Sequence, residues 1–144
     1  MILIDTNIFT RIAEKTNDPL RAMAKSALAQ LQKNQETLVV APQCLYEFWV
    51  VMTRPIQNNG CGFTSTKATW WLGSIRNMAT LLTDDLDVYY NWEALVSNKN
   101  VLGKQGHDAH LVAWMQRHNV TKILTFNTGD FARYGITVVD LRKL

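Results

Sequence analysis

Met1-Ile2-Leu3-Ile4-Asp5-Thr6-Asn7 opens the chain as a short strand that ends in a carboxylate. Three consecutive apolar residues, two of them β-branched, suit a strand covered on both faces, the kind that occupies the middle of a parallel sheet. In open α/β sheets ligands bind beyond the carboxyl ends of the strands, so Asp5 is aimed at a site rather than at the core. A plainer reading makes Asp5 a helix cap only. Thr6 or Asn7 is also placed to cap the helix that Ile8, Phe9, Ile12 and Ala13 would bury. What separates these readings is whether other carboxylates gather at the same end of the sheet.

Outward from this strand the chain alternates. Asp18-Pro19 gives an N-cap and a proline at the first helical position, and Leu20, Met23, Ala24, Ala27, Leu28 and Leu31 follow at helical spacing. Thr37 to Val40 is the next buried strand, closed by Ala41-Pro42. Pro42 opens a helix with a stripe of Leu45, Phe48, Trp49 and Met52, and Glu47 stands inside that apolar run. A carboxylate there is either exposed at the polar edge of the helix or held inward by a partner. Ile56 to Phe63, with Asn58, Asn59, Gly60 and Gly62, is a loop.

Ser65 starts a helix with Ala68, Trp71, Leu72, Ile75 and Ala79 on one side. The neighbouring Trp70 and Trp71 either part, one facing outward or into a subunit contact, or both lie in a thick helical layer. Leu81-Leu82-Thr83 is a short strand, followed by a helix from about Asp85 to Val96 that buries Val88, Trp92, Leu95 and Val96. Ser97 to Gln105 is polar and expected to be mobile. Gly106-His107-Asp108-Ala109-His110 opens the helix that buries Leu111, Val112, Trp114 and Met115. Asp108 falls in its first turn, where the helix dipole alone favours a negative charge by ~0.3–1 kcal/mol. Lys122 to Thr125 is a further strand, Phe126 to Phe131 a turn carrying Asn127 and Asp130, and Ile136 to Val139 an edge strand. The rhythm is that of an α/β fold with a mostly parallel central sheet, in a single domain over residues 1–144.

Bulk properties narrow the class. A chain of 144 residues with 47% apolar and 19% charged residues is globular and needs no second domain. No apolar run approaches the ~18 residues of a membrane span. Asp5 interrupts the first apolar run and no basic segment precedes it, so no signal peptide is expected and the chain is placed in the cytoplasm. Cys44 and Cys61 lack the spacing of a zinc site or a redox pair and are expected as free thiols. A net charge of +3, with the basic residues scattered, says little about a polyanionic partner unless some acidic residues gather in one place.

They are placed to gather. Asp5 follows a strand, Glu47 lies early in a helix after a strand, Asp108 sits in a first helical turn, and Asn127 and Asp130 follow a strand. In a doubly wound sheet these ends share one face. Close carboxylates repel by up to ~4 kcal/mol per pair at an effective dielectric of 20, so such a cluster implies a cation. Oxygen ligands alone suit Mg²⁺ or Mn²⁺, ions that act on phosphates. Metal-dependent phosphodiester hydrolysis follows as the chemistry. His107 and His110 invite a zinc reading but lack a third suitably spaced ligand. A phosphatase using Asp5 as nucleophile would need a second Asp two residues on, where Asn7 stands. Arg11, Lys15, Arg54, Lys104 and Arg133 are candidates for phosphate contacts.

Ile4-Asp5-Thr6-Asn7, Glu47, the helix start Asp108-Ala109-His110-Leu111-Val112-Ala113 and the turn Leu124-Thr125-Phe126-Asn127-Thr128-Gly129-Asp130-Phe131 together resemble the PIN domain. More narrowly they resemble the VapC-type toxin ribonucleases of toxin–antitoxin pairs. The resemblance implies a three-layer α/β/α fold and a metal-dependent endoribonuclease using Mg²⁺ (or Mn²⁺). It makes Asp5, Glu47 and Asp108 the metal-binding carboxylates, and Asn127, with Asp130 nearby, the fourth position, where relatives with Asp carry a charge that this amide lacks. Thr125 would orient Asp5 by a hydrogen bond. The reaction implied is in-line attack of an activated water on RNA, leaving a 5′-phosphate and a 3′-hydroxyl. The implied partners are RNA, a small cognate antitoxin protein that inserts a segment into the site, and a second copy in a homodimer. The alternative is a PIN-like RNA-binding or assembly module without turnover.

Overall fold

A computed structural model describes residues 1–144. Five short strands, β1 (Ile2–Ile4), β2 (Leu38–Val40), β3 (Thr80–Leu81), β4 (Lys122–Leu124) and β5 (Thr137–Val139), form one sheet in the order β3-β2-β1-β4-β5. Every neighbouring pair is parallel. The apolar runs explain the central positions: all three residues of β1 and of β2 are buried, as strands covered on both faces must be.

Six helices connect them: α1 (Thr6–Ala13), α2 (Pro19–Lys33), α3 (Pro42–Thr53), α4 (Ser65–Met78), α5 (Leu86–Asn98) and α6 (Gln105–Arg117). From β1 the chain steps outward to β2 and β3, then the α5–α6 hairpin carries it back across the sheet to β4. Right-handed crossovers put these oppositely directed connections on opposite faces, giving the α/β/α three-layer arrangement. β1 therefore has β2 on one side and β4 on the other, a point where the strand order reverses and where a crevice opens beyond the strand ends.

Where the structure departs from expectation, edges and caps are the cause. The third strand is Thr80–Leu81 rather than Leu81 to Thr83; it pairs with β2 only, both its residues are exposed, and Leu82 turns inward onto the core instead. Trp70 points to solvent and Trp71 packs near Phe48, with ring centroids 6.5 Å apart. Val88 and Leu95 of α5 are buried, whereas Trp92 and Val96 are half-buried. Between α5 and α6 the chain makes a tight connection in which Asn100 and Gly103 take positive φ and Arg133 donates to the Lys99 carbonyl and to Gln105 Oε1. Asp18 caps α2 through Leu20 N at 2.9 Å, with Pro19 at its first position. Both cysteines are free. No helix is long and apolar enough to cross a membrane.

Candidate functional site

The sheet register builds the site. Ile4 pairs with Leu124, so Asp5 and Thr125 leave β1 and β4 side by side, and Asp5 N donates to Leu124 O at 3.1 Å. Both residues are buried. Asp5 Oδ1 accepts from Thr6 N at 2.7 Å, so the cap of α1 is Asp5, neither Thr6 nor Asn7; the extended backbone at Asp5 (φ −74°, ψ 154°) makes it the residue flanking the helix. Asp5 Oδ2 accepts from Thr125 Oγ1 at 2.6 Å and from Asn7 Nδ2 at 2.7 Å. The Thr125 hydroxyl in turn accepts from Asn7 Nδ2 at 2.9 Å and from Asn127 N at 3.0 Å, and Asn7 Oδ1 accepts from Phe126 N at 3.1 Å. Asn7 is thus a strut between the ends of β1 and β4. Asp5 therefore caps α1 with one oxygen and receives Thr125 and Asn7 with the other.

Glu47 is half-buried on α3, held rather than free. Its Oε2 lies 3.0 Å from the Thr6 hydroxyl and its Oε1 accepts from Gln43 Nε2 at 2.7 Å, one helical turn earlier. The same Gln43 Nε2 donates to His107 O at 3.1 Å, and Gln43 Oε1 accepts from His110 Nδ1. All three hydrogen-bonding positions of this amide facing α6 and Glu47 are taken, which ties α3 to the first turn of α6 where Asp108 stands. On its other nitrogen His110 meets Asp84 at 3.4 Å.

Asp5, Glu47, Asp108 and Asn127 line one cleft of about 470 Å³, together with Thr6, Asn7, Thr10 and Gln43 and an apolar flank of Tyr46, Val50, Val51 and Leu111. Asp130 does not line it; it lies in the short 3₁₀ helix Thr128–Tyr134, and its charge is felt at Asp108. Thr125 lies beneath the cleft, under Asp5. Of the polar lining, Thr10 and Gln43 have no place in the sequence reading, and Thr6 and Asn7 enter it only as caps and within the opening motif. Gln43 carried a signal, standing four residues before Glu47 on one helix face.

Burial pushes the Asp5 carboxyl up from its ordinary value of 3.8 to about 6, against the lowering bonds from Thr125 and Thr6 and with the charges of Glu47 and Asp108 adding to the rise. Burial also raises Asp108, followed by the charges of Asp130 and Glu47, with His107 opposing. None of Asp5, Glu47, Asp108 or Asp130 has a cationic side chain in salt-bridge contact. The expected phosphate-binding cations are mostly engaged elsewhere. Arg11 pairs with Asp18 at 2.9 Å, Arg54 donates to Asn59 O in the loop after α3, and Arg133 holds the α5–α6 connection; Lys15 and Lys104 remain exposed and unpaired.

No group of three His, Cys, Asp or Glu side chains stands close enough to enclose a metal ion. The expected three-carboxylate grouping is therefore spread along a cleft, with both Glu47 oxygens bonded to Thr6 and Gln43. The donor set nevertheless fits a hard divalent ion: two mutually repelling carboxylates, Asp5 and Asp108, without a protein cation, beside an open cavity. Mg²⁺ is held through one or two carboxylates and keeps several waters, so it does not need a closed protein cage.

The PIN domain model matches residues 2–136 of the chain. Among solved structures, Mycobacterium tuberculosis VapC20, described as a sarcin-ricin loop cleaving toxin, is 20% identical with a TM-score of 0.68, covering 95% of this chain and 97% of that one. FitAcB from Neisseria gonorrhoeae is 16% identical with a TM-score of 0.70 and full coverage of both chains. A toxin–antitoxin complex from Klebsiella pneumoniae is 20% identical with a TM-score of 0.65, covering 98% of each. At these identities the likeness is one of fold. No curated protein matches the sequence.

Proposed function

Because the chain belongs to the PIN-domain family, we propose that its cleft is the active site of a metal-dependent endoribonuclease acting as the toxin of a toxin–antitoxin pair. The observation that carries this reading is the buried Asp5 at the switch point of the sheet, pushed up to about 6 and sharing its cleft with Glu47 and Asp108 without a cation of the protein's own. Asp5 and Asp108 would hold Mg²⁺ or Mn²⁺, with Asn127 and the bonded Glu47 ordering its water. When bound, such an ion neutralises charge on a phosphate and lowers the pKa of a water.

The chain's own residues do the rest. Thr125 and Asn7 donate to Asp5 Oδ2 and hold its carboxylate in one rotamer, while Thr6 N occupies Oδ1. Thr6 and Gln43 fix Glu47, whose carboxylate is then a ready acceptor for a proton from water entering the cleft. Asn127 offers an amide where a charged fourth ligand would stand, which favours one ion over two. The similar solved structures include one described as a sarcin-ricin loop cleaving toxin and a toxin–antitoxin complex, which supports a nucleic-acid substrate, read here as RNA, and a small antitoxin protein as partner.

The spread of the carboxylates gives specific support to a second reading, an RNA-binding module without turnover. Incubating purified protein with a labelled RNA pool in Mg²⁺, in Mn²⁺, in chelator, and as Asp108→Asn separates the two. Defined products that need the ion and vanish in the variant are expected. RNA that is bound by folded protein yet stays intact in every condition would sink the nuclease in favour of the module.

A further inference from the structure

Two clefts meet at the first turn of α6. Asp108 and Leu111 face the carboxylate cleft. His107 and His110, on the adjoining face of the same turn, line a second cleft of about 360 Å³ with Gly103 and Gly106, and Tyr89 and Trp92 of α5 complete it. The partition between the two clefts is Gln43, which bonds at once to Glu47 on one side and to His107 O and His110 on the other.

We propose that this second cleft is a nucleobase subsite, taking one base of the RNA strand whose phosphate lies at Asp5 and Asp108. The inference rests on the nuclease reading and adds to it the part of the strand that the carboxylates do not touch. A single strand held at a phosphate has its bases splayed to the sides, and proteins take them on aromatic faces. Tyr89 is half exposed, and its ring stands 5.9 Å from that of Trp92 at 41°, so the two rings do not cover each other face to face.

Trp92 is already oriented. Its indole N–H donates to Gly106 O at 2.9 Å, which leaves an apolar ring as a wall and removes the ordering cost of placing it on binding. His110 is likewise held, by Gln43 and Asp84, while His107 is exposed with a ring free to meet a base edge. At Gly103 and Gly106 an added Cβ would meet nothing within 4 Å, so the space over this backbone is open to a flat ring. No carboxylate lines the cleft, and Lys104, exposed and without a salt bridge, lies in the chain between the two glycines. That setting suits a strand of phosphates better than an acidic or purely apolar protein segment.

The test is fluorescence anisotropy in chelator at low ionic strength, with a labelled mixed-sequence single-stranded RNA of about 12 nucleotides and an abasic ribose-phosphate strand of equal length. Tyr89→Ala is expected to weaken binding of the RNA by ~5–100-fold, the range of one stacked base, with Tyr89→Phe retaining it and neither variant changing the abasic strand. Equal RNA affinity in Tyr89→Ala, or an equal loss on the abasic strand, overturns the subsite. So does a change of oligomeric state in Tyr89→Ala with RNA affinity intact, which would make the patch a protein interface. Ion-dependent cleavage by wild-type protein together with unchanged binding in Tyr89→Ala removes the subsite alone. Absence of both binding and cleavage by wild-type protein removes the nuclease reading with it.

Discussion

Asp5 and Asp85 do the same local job and end in opposite electrostatic states. Each caps a helix, Asp5 through Thr6 N at 2.7 Å and Asp85 through Val88 N at 3.3 Å. Asp85 sits at the surface, where hydrogen bonds from Arg117 hold its carboxyl below the ordinary range, and Arg117 also reaches Asp87 at 3.3 Å. Asp5 is buried, has no such partner, and is pushed up to about 6. A cap needs only an oxygen lone pair. The protein neutralises one of these two caps with its own arginine and leaves the other uncompensated inside a cleft with Glu47 and Asp108. That difference, more than the presence of an acidic residue at a helix start, marks the candidate site.

The two aspartates are expected to differ most in activity. Asp5→Asn keeps a hydrogen-bonding side chain of similar size and removes the charge, and metal-dependent cleavage of RNA is expected to fall by roughly a hundredfold or more, the scale of losing an interaction of several kcal/mol with the ion. Asp85→Asn removes a charge that faces only Arg117 and should leave the initial rate unchanged. Equal losses in the two variants would mean that Asp5 matters as a cap and nothing else.

Stability against pH sharpens the same contrast. The folded protein binds the Asp5 proton more tightly than the unfolded chain, so this group's contribution is fully present below about pH 4 and is lost as pH rises through about 6. The gap from 3.8 to about 6 amounts to ~3 kcal/mol at ~1.36 kcal/mol per pH unit. In chelator, urea unfolding of the wild type minus that of Asp5→Asn should show a gain of this order from pH 7 to pH 4. For Asp85 the sign reverses: its contribution is present at neutral pH and lost on acidification. Added Mg²⁺ should recover at pH 7 part of what Asp5 costs there. A flat difference across that range would show that Asp5 is solvated in solution.

What the sequence made legible follows from the same geometry. Strand ends and first helical turns are visible as patterns, so the sequence alone points to Asp5, Glu47, Asp108 and Asn127, and the sheet brings these four to one cleft. The resemblance also pointed to a Thr125–Asp5 hydrogen bond, and the two lie at 2.6 Å because β1 and β4 are neighbours in register. Asp130 reads with them by its nearness to Asn127 in sequence, but the 3₁₀ helix starting at Thr128 carries it away from the lining. Asn7 was hidden by its own plausibility as a cap, since the pairing of β1 with β4, which turns it into a strut, spans more than a hundred residues and leaves no local trace. The third strand starts one residue earlier and ends two residues earlier than its apolar run suggests, for a related reason. With β2 as its only neighbour, its boundaries depend on a single row of hydrogen bonds rather than on its own apolar residues.

Gln43 is where the two acidic regions touch. From Glu47 the chain of contacts runs through Gln43 to His110 and on to Asp84, next to the capping Asp85. With both Nε2 hydrogens and Oε1 engaged, the amide sets the distance between the helix that carries Glu47 and the turn that carries Asp108. Gln43→Ala removes a hydrogen bond to a charged group, worth ~1.5–3 kcal/mol when fully buried, and the half-exposed setting of Glu47 argues for the lower end, about tenfold. Because Gln43 acts through the placing of carboxylates, the loss should appear as a weaker dependence on Mg²⁺: about tenfold slower cleavage at limiting ion, regained at saturating ion. His110→Ala should reproduce the effect more weakly, as it frees only Oε1. A uniform drop in rate that excess Mg²⁺ does not restore, accompanied by a lower unfolding midpoint, would make the amide a packing element between α3 and α6 with no part in holding the carboxylates to the ion.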